Sequence, residues 1–394
     1  MPKLSSRVTG ITPSGKDGWE VHFDALVRHQ AGEPIIMLSV GDHDFHTPAE
    51  TVEACVREVR AGHHHYTHLP GMPRLRAAMA KVTTACTGVE TTPQQVLSTP
   101  GGQAALFAAA LGTCDPGEHA IIIAPYYATY PPTFRAAQVD ISIVDADAED
   151  GFQPQAAAIE AAIRPNTRAI LINTPNNPTG AVYTRQTLEA IADICRRHDL
   201  WLISDEVYWT ITGGREHLSP RALPGMEERT LVVNSMSKSH GMTGWRIGWL
   251  TGPEDIVATL ISLNLVSTYG LPDFVSRAAM DALENGYGVA EIAERYAKRR
   301  RVFLDAIRGM NGVTVRGSEG GMYIMLDVSA LEPDCETFAW GLLNGEKVAV
   351  MPGGSFGDSA RGHIRISLCQ PEEVLREAAT RLKRFAGSYK RDAA

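Results

Sequence analysis

The sequence predicts an α/β protein: a doubly wound, mainly parallel sheet forming a large unit, with a smaller α+β unit drawn from the N- and C-terminal parts of the chain. Three observations carry this. Short apolar runs at 120–124, 141–144, 169–172, 200–203, 231–233 and 247–250 have the length and composition of buried strands. Segments of helical period separate several of them; 186–198 is one, with Leu188, Ile191 and Ile194 on one side. Beyond about Gly286 the texture becomes a long charged helix, an alternating stretch at 321–328, another helix, and a strand pair near Val348 and Ile364.

Alternation of strand and helix implies parallel strands, and right-handed crossovers place helices on both faces of the sheet. No Ser/Gly- or Pro-rich linker divides the chain, so the first forty or so residues are expected to pack with the C-terminal part. The expected division is 1–45 for the N-terminal arm and part of the small unit, 46–285 for the large unit, and 286–394 for the small C-terminal unit.

In open α/β sheets ligands lie beyond the carboxyl ends of the strands, so the residues following each run are informative. The run ending at Ala124 leads into Pro125-Tyr126-Tyr127, and the run ending at Ile172 into NTPNNPTG (173–180). SDEVY (204–208) follows Ile203, and NSMSKSHGMTGWR (234–246) follows Val233. Upstream, TPGGQAALFAAA (99–110) reads as a glycine turn opening a helix, whose free N–H groups form an anion site. A glycine pair before a helix is by itself a weak signal, since a simple turn reads the same way.

Taken together, NNPTG, SDEVY, SMSKSHGMTGWRIGW, GGMYIMLD and PGGSFG followed by HIRIS resemble the class I and II aminotransferases, fold type I enzymes dependent on pyridoxal 5'-phosphate. The resemblance runs from about Trp19 to Leu368. It implies that Lys238 forms the Schiff base with the cofactor. Lys238 is one of only eight lysines, so candidates are few, and its setting of serines and glycines after a buried run is a poor one for a surface lysine.

The resemblance implies that Asp205 pairs with the protonated pyridine nitrogen, and a carboxylate behind Leu-Trp-Leu-Ile-Ser needs a partner of that kind if buried. A helix N-cap is the other reading. By the same resemblance Asn177 and Tyr208 bond the phenolic oxygen and Tyr127 stacks on the ring, although Tyr126 beside it fits nearly as well. Gly102, Gln103 and Ala104 supply helix amides to the phosphate, Ser235 and Ser237 hydroxyls, and Arg246 a charged fork. Arg365 clamps the substrate carboxylate, with a surface ion pair as its alternative. Gly41 in SVGDHDF faces substrate, and Tyr66 reaches the cofactor phosphate of a neighbouring subunit, which requires a homodimer.

The function implied is transfer of an amino group between an L-amino acid and a 2-oxo acid in two half-reactions. A carbon–sulfur β-lyase on the same fold is the alternative, and a non-catalytic regulator has no room for its customary extra domain. The stretches around 19–48, 198–209 and 234–249 are more similar to arginine–pyruvate transaminases than to strict aspartate aminotransferases within one subfamily. Pyruvate as acceptor, with arginine or a broad range of amino acids as donor, follows from that. A guanidinium donor needs a carboxylate at the far end of its pocket, and Asp42 and Asp44 beside Gly41 are the nearest candidates, although aspartates in such a turn-rich loop commonly cap or face solvent.

Composition sets the remaining bounds. At 394 residues, 44% hydrophobic and 21% charged, the chain has material for a large core. A formal net charge of -8 offers no footprint for a nucleic-acid backbone. No apolar run reaches the roughly eighteen residues of a membrane span, and no secretory or transit signature opens the sequence, so a cytoplasmic protein is expected. The six cysteines are spaced without a CxxC pair and are expected to be reduced and mostly buried. The basic run 298–301 is expected to be a solvated helix face. GITPSGKD (10–17) falls one residue short of a phosphate-binding P-loop, with no strand before it, and the His63-His64-His65 triplet with His68 lacks i, i+4 metal spacing, so no metal is expected.

Overall fold

In the structure, a computed structural model, residues 2–11 and 19–388 are described. The P-loop-like stretch lies mostly outside them. Seven strands form the large sheet. In spatial order they are Val96–Thr99, Gly248–Thr251, Thr230–Ser235, Trp201–Asp205, Thr167–Asn173, His119–Ala124 and Asp140–Asp145. The last five run parallel, and Gly248–Thr251 lies antiparallel to both of its neighbours. All six apolar runs seen in the sequence are strands here. The seventh, Val96–Thr99, reads V-L-S-T and carries no such run.

Side-chain alternation sorts the strand residues onto two faces. Ile121, Ile123, Ile170, Ile172 and Leu202 enter one core, packed with Leu188, Ile191 and Ile194 of the helix Arg185–Arg197. Ala120, Ile122, Ala169, Leu171 and Ile203 enter the other, with the helix Gly102–Thr113. That helix is apolar on nearly all sides, as a helix enclosed by its own protein must be. Thr184 caps the first of these helices by accepting from the Thr187 amide.

The sequence order of the parallel strands reverses at His119–Ala124, where Asp140–Asp145 adds on one side and Thr167–Asn173 on the other. A crevice opens beyond the carboxyl ends at such a switch point. Strand register brings Asn173 opposite Asp205 at that edge.

A second, four-stranded antiparallel sheet, in the order Met351–Pro352, His363–Ser367, Tyr323–Asp327 and Thr314–Val315, packs with the helices Val289–Ile307, Cys335–Glu346 and Glu372–Ser388. The early chain joins this part. Val21 and Ala25 of the helix Trp19–Gln30 enter the same core, and Ile36–Met37 pairs in parallel with Val348–Ala349.

The basic run departs from expectation. Only Lys298 and Arg301 are solvated; Arg299 and Arg300 are 4% and 6% exposed. Their place on the helix turns them inward beside Tyr296 and Phe303. Arg299 forms a two-pronged ion pair with Asp44, both bonds 2.7 Å, and Arg300 donates to the carbonyls of Ser318, Gly320, Gly321 and Tyr323. All six cysteines are free thiols and five are buried.

Candidate active site

The motifs after the strands converge on one cavity of about 240 Å³ at the carboxyl edge of the large sheet. Gly41, Gly102, Gln103, Tyr127, Asn177, Asp205, Tyr208, Ser235, Ser237, Lys238, Arg246 and Arg365 all line it. Ala104 sits in the first turn of its helix with its side chain outside the lining. Tyr66 is 85% exposed, packed edge-on against Tyr269 at 5.0 Å, and does not reach the cavity of its own chain. Tyr127 and not Tyr126 faces the cavity; Tyr126 packs under Gly357.

Lys238 lies in the short helix Met236–Ser239 that directly follows the strand Thr230–Ser235. Its Nζ donates to the Gly41 carbonyl at 2.7 Å, and burial holds its pKa below the ordinary lysine value. Gly41 is glycine for a steric reason: a Cβ there would lie 1.8 Å from the Tyr323 hydroxyl.

Asp205 ends its strand almost completely buried. Its Oδ2 accepts from the Tyr130 hydroxyl at 2.6 Å and its Oδ1 from the Val207 amide at 3.2 Å. Neither donor carries charge, so burial prevails and raises the carboxyl pKa to about 6. A buried carboxylate held only by neutral donors is poised for a cationic ligand. Tyr130 was not singled out in the sequence, and the signal that could have found it was the need of a buried carboxylate for a donor.

Arg365 projects from the strand His363–Ser367, where it stands opposite Met325 and Met351. Its guanidinium lies 4.2 Å from the Tyr323 ring centroid and 4.7 Å from that of Phe356, donating to Asn177 Oδ1 at 3.0 Å and the Ser39 carbonyl at 2.5 Å. Its buried Nε has no partner among the described residues. Because Arg365 can only donate, the Asn177 oxygen faces it, which leaves the Asn177 amide N–H₂ for a ligand acceptor. The rings of Tyr208 and Tyr323 meet edge-on, and burial pushes the Tyr323 hydroxyl up to about 12. Tyr323, Trp19, Asn173 and Thr243 also line the cavity without having been singled out as site residues, although Tyr323 stands within GGMYIMLD.

At the opposite pole the Ser235 hydroxyl donates to that of Ser237 at 2.9 Å, beside the N-terminus of the helix Gly102–Thr113. Arg246 holds this corner: its NH1 donates to the Thr243 carbonyl, and a Cβ on Gly101, whose φ is 87°, would come within 2.2 Å of NH2. Gln103 lines the corner, but its amide is tied to the hydroxyls of Thr129 and Thr133. Hydroxyls, helix amides and a guanidinium at one end, a carboxylate in the middle, an amine nucleophile and a second guanidinium suit a phosphorylated pyridine aldehyde together with a carboxylate-bearing substrate.

Two other sequence candidates separate here. Asp44 is taken up by Arg299 and is unavailable to a substrate cation, which corrects its placing as a donor-side residue. Asp42 accepts from the Thr243 hydroxyl at 2.7 Å and from the His43 amide, with no ion pair among the described residues. Elsewhere, tertiary structure gathers Cys86, Glu206 and His217, whose ligand atoms lie within 4.8 Å of one another; Glu206 there already accepts from Ser219 and is bonded to His217.

The family model for aminotransferase class I and II matches residues 33–382. The chain is 41% identical to arginine–pyruvate transaminase AruH of Pseudomonas aeruginosa over 94% of this chain and 95% of that one. It is 37% identical to the aspartate/prephenate aminotransferase of Thermus thermophilus over 98% and 100%. Among solved structures, aspartate aminotransferase from Thermus thermophilus with maleate superposes with a TM-score of 0.91 at 36% identity, covering 98% and 100% of the two chains. That from Thermotoga maritima gives 0.92 at 31%, with the same coverage. The chain therefore belongs to the class I and II aminotransferases, enzymes that move amino groups between amino acids and 2-oxo acids with pyridoxal 5'-phosphate as cofactor.

Proposed function

We propose that this aminotransferase takes a broad range of non-acidic amino donors, favouring a long basic side chain such as arginine, with pyruvate as acceptor. One observation carries this: the only cations lining the cavity among the described residues are Lys238, Arg246 and Arg365. Each is needed elsewhere, so among the described residues of a single chain none remains for the second carboxylate of an aspartate-like donor. Asp42, free of ion pairs among the described residues, lies outside this lining in the neighbouring pocket, which shares Thr243 and Arg246 with the cavity, and its bond to Thr243 places the opposite charge beside the cavity. The likeness to an arginine–pyruvate transaminase supports the same reading and favours transamination over carbon–sulfur elimination.

In this reading the phosphate would rest on the amides of Gly102, Gln103 and Ala104, the hydroxyls of Ser235 and Ser237, and Arg246. Asp205, braced by Tyr130, would hold the pyridine N–H. Tyr127 would stack on the ring, and Asn177 and Tyr208 would bond the phenolic oxygen. Pyridoxal phosphate, when bound through Lys238, supplies the electron sink that makes the donor's α-proton labile. Arg365 grips the donor carboxylate with its two-pronged fork and orients the Cα–H bond toward Lys238. With the cofactor in place, the Lys238 amine, its pKa lowered by burial, would be the base that accepts the donor's α-proton and the acid that hands it on. The acceptor oxo acid runs the steps in reverse, giving ping-pong kinetics.

Tyr66 and Tyr269, exposed together outside the chain's own cavity, suit a homodimer in which Tyr66 reaches the cofactor phosphate of the neighbouring subunit. A panel of donors reacted without acceptor, followed by the cofactor's absorbance change, tests the specificity. Arginine is expected to react faster than aspartate, and Asp42→Asn to slow arginine while sparing alanine. A far faster aspartate reaction removes the basic-donor reading.

A further inference from the structure

His43 lies next to Lys238 yet has no part in the scheme above. Its Nε2 is 3.0 Å from the Ser237 carbonyl and its Nδ1 is 2.8 Å from the Tyr296 hydroxyl. A carbonyl only accepts, so Nε2 carries the proton and Nδ1 is the bare acceptor for Tyr296 O–H. The Tyr296 oxygen in turn faces the buried Cys369 thiol at 3.5 Å. The hydrogen bonds thus run one way, from Cys369 through Tyr296 and His43 to the peptide joining Ser237 to Lys238. Burial first, and the Lys238 charge second, lower the His43 pKa to about 4, so the ring stays neutral beside the lysine.

The residues around His43 make this contact rigid. Gly41, two positions earlier, accepts from Lys238 Nζ. His43, Asp44 and Phe45 are each gripped by one face of the helix Val289–Ile307: His43 by Tyr296, Asp44 by Arg299, and Phe45 by Arg295 stacked 4.2 Å from its ring centroid. Positions 295, 296 and 299 share that face by helical spacing. The loop at 41–45 therefore touches Lys238 twice, at its Nζ and at its own peptide bond, while three side chains anchor it to the smaller part of the molecule.

We propose that His43 is a positioning residue: as a neutral donor to the Ser237 carbonyl it sets the peptide plane between Ser237 and Lys238, and so the direction from which Lys238 Nζ delivers and removes protons. The Ser237 hydroxyl belongs to the phosphate corner, so the same bond holds the spacing between that corner and the lysine. This inference rests on Lys238 being the attachment point, which borohydride trapping and peptide mapping of the parent enzyme test separately.

The experiment compares His43→Gln, which keeps an amide N–H for the Ser237 carbonyl, with His43→Leu, which has none, as holoenzymes with thermal midpoints recorded alongside. Three quantities are read: kcat and KM of the donor half-reaction, and the pH midpoint of the chromophore without substrate. His43→Leu is expected to lower kcat about tenfold to a hundredfold with KM nearly unchanged and a displaced chromophore midpoint, as a misaligned base would. His43→Gln should restore kcat to within about threefold of the parent, because its N–H replaces the one that matters. Tyr296→Phe, a milder change that leaves the fold's packing in place, should lower kcat severalfold and add nothing to His43→Leu in the double variant. Parent-like kcat and midpoint in His43→Leu overturn the proposal, as does a Gln variant as impaired as the Leu variant. Should the Leu variant fail to fold, an unchanged Tyr296→Phe enzyme overturns it instead.

Discussion

Asp205 sets stability against function. Burial raises its carboxyl pKa from 3.8 to about 6 in the cofactor-free protein. The folded-state value lies above the unfolded one, so the folded chain binds this proton more tightly. Its stabilising contribution is fully present below about pH 4 and is lost as pH rises through about 6. At 1.36 kcal/mol per unit, the shift means that ionised Asp205 costs the cofactor-free protein about 3 kcal/mol at neutral pH. Asp205→Asn removes that cost and keeps the shape. Its carbonyl accepts the Val207 amide, and its amide donates to a Tyr130 hydroxyl turned to accept.

The cofactor-free Asn variant should therefore resist urea more than the parent at pH 7.5, by about 3 kcal/mol, with the difference vanishing toward pH 4. The same variant, loaded with cofactor, should lose orders of magnitude in the single-turnover reaction of a donor, because a neutral amide cannot hold the pyridine proton. Urea titrations from pH 4 to 8 and stopped-flow absorbance measure the two effects. A pH-independent difference in stability, or a near-normal single turnover, overturns this role for Asp205.

Lys238→Ala should abolish covalent attachment of the cofactor and slow turnover by about 10⁴-fold, with no borohydride-trapped peptide elsewhere in the chain. Arg365→Lys keeps the charge but loses the fork between Tyr323 and Phe356, so KM for the donor should rise at least ~10-fold with a smaller change in kcat. Asp44→Asn leaves the 4%-exposed Arg299 guanidinium without its counter-charge and should cost about 2–3 kcal/mol in urea, less than for a fully buried pair because Asp44 is partly solvated.

Much of the site was legible because sheet topology places strand ends together: Asp205, Asn177 and Lys238 each follow an apolar run, and parallel strands deliver their carboxyl ends to one edge. The fold class was legible for the same reason, since apolar runs and helical periods are local properties of the chain. Val96–Thr99 escaped because four residues with two hydroxyls carry no period, and its strand exists through its pairing with Gly248–Thr251.

The rest needed the third dimension. Asp42 and Asp44 are alike in sequence; the arrival of Arg299, 255 positions from Asp44, gives Asp44 an ion pair, while Asp42 has only hydrogen bonds among the described residues. Arg299 and Arg300 read as a solvated run because charge alone gives no sign of partners, and they are buried because Asp44 and a row of carbonyls receive them. Tyr130 and His43 act through hydrogen bonds to Asp205 and Ser237, 75 and 194 positions away, and Tyr323 through close packing on Gly41, 282 positions away. Which groups stand at the strand ends follows from the order of residues along the chain. Tertiary structure decided which donors and charges face them, because burial and partner identity, which set pKa and orientation, are properties of packing between distant segments.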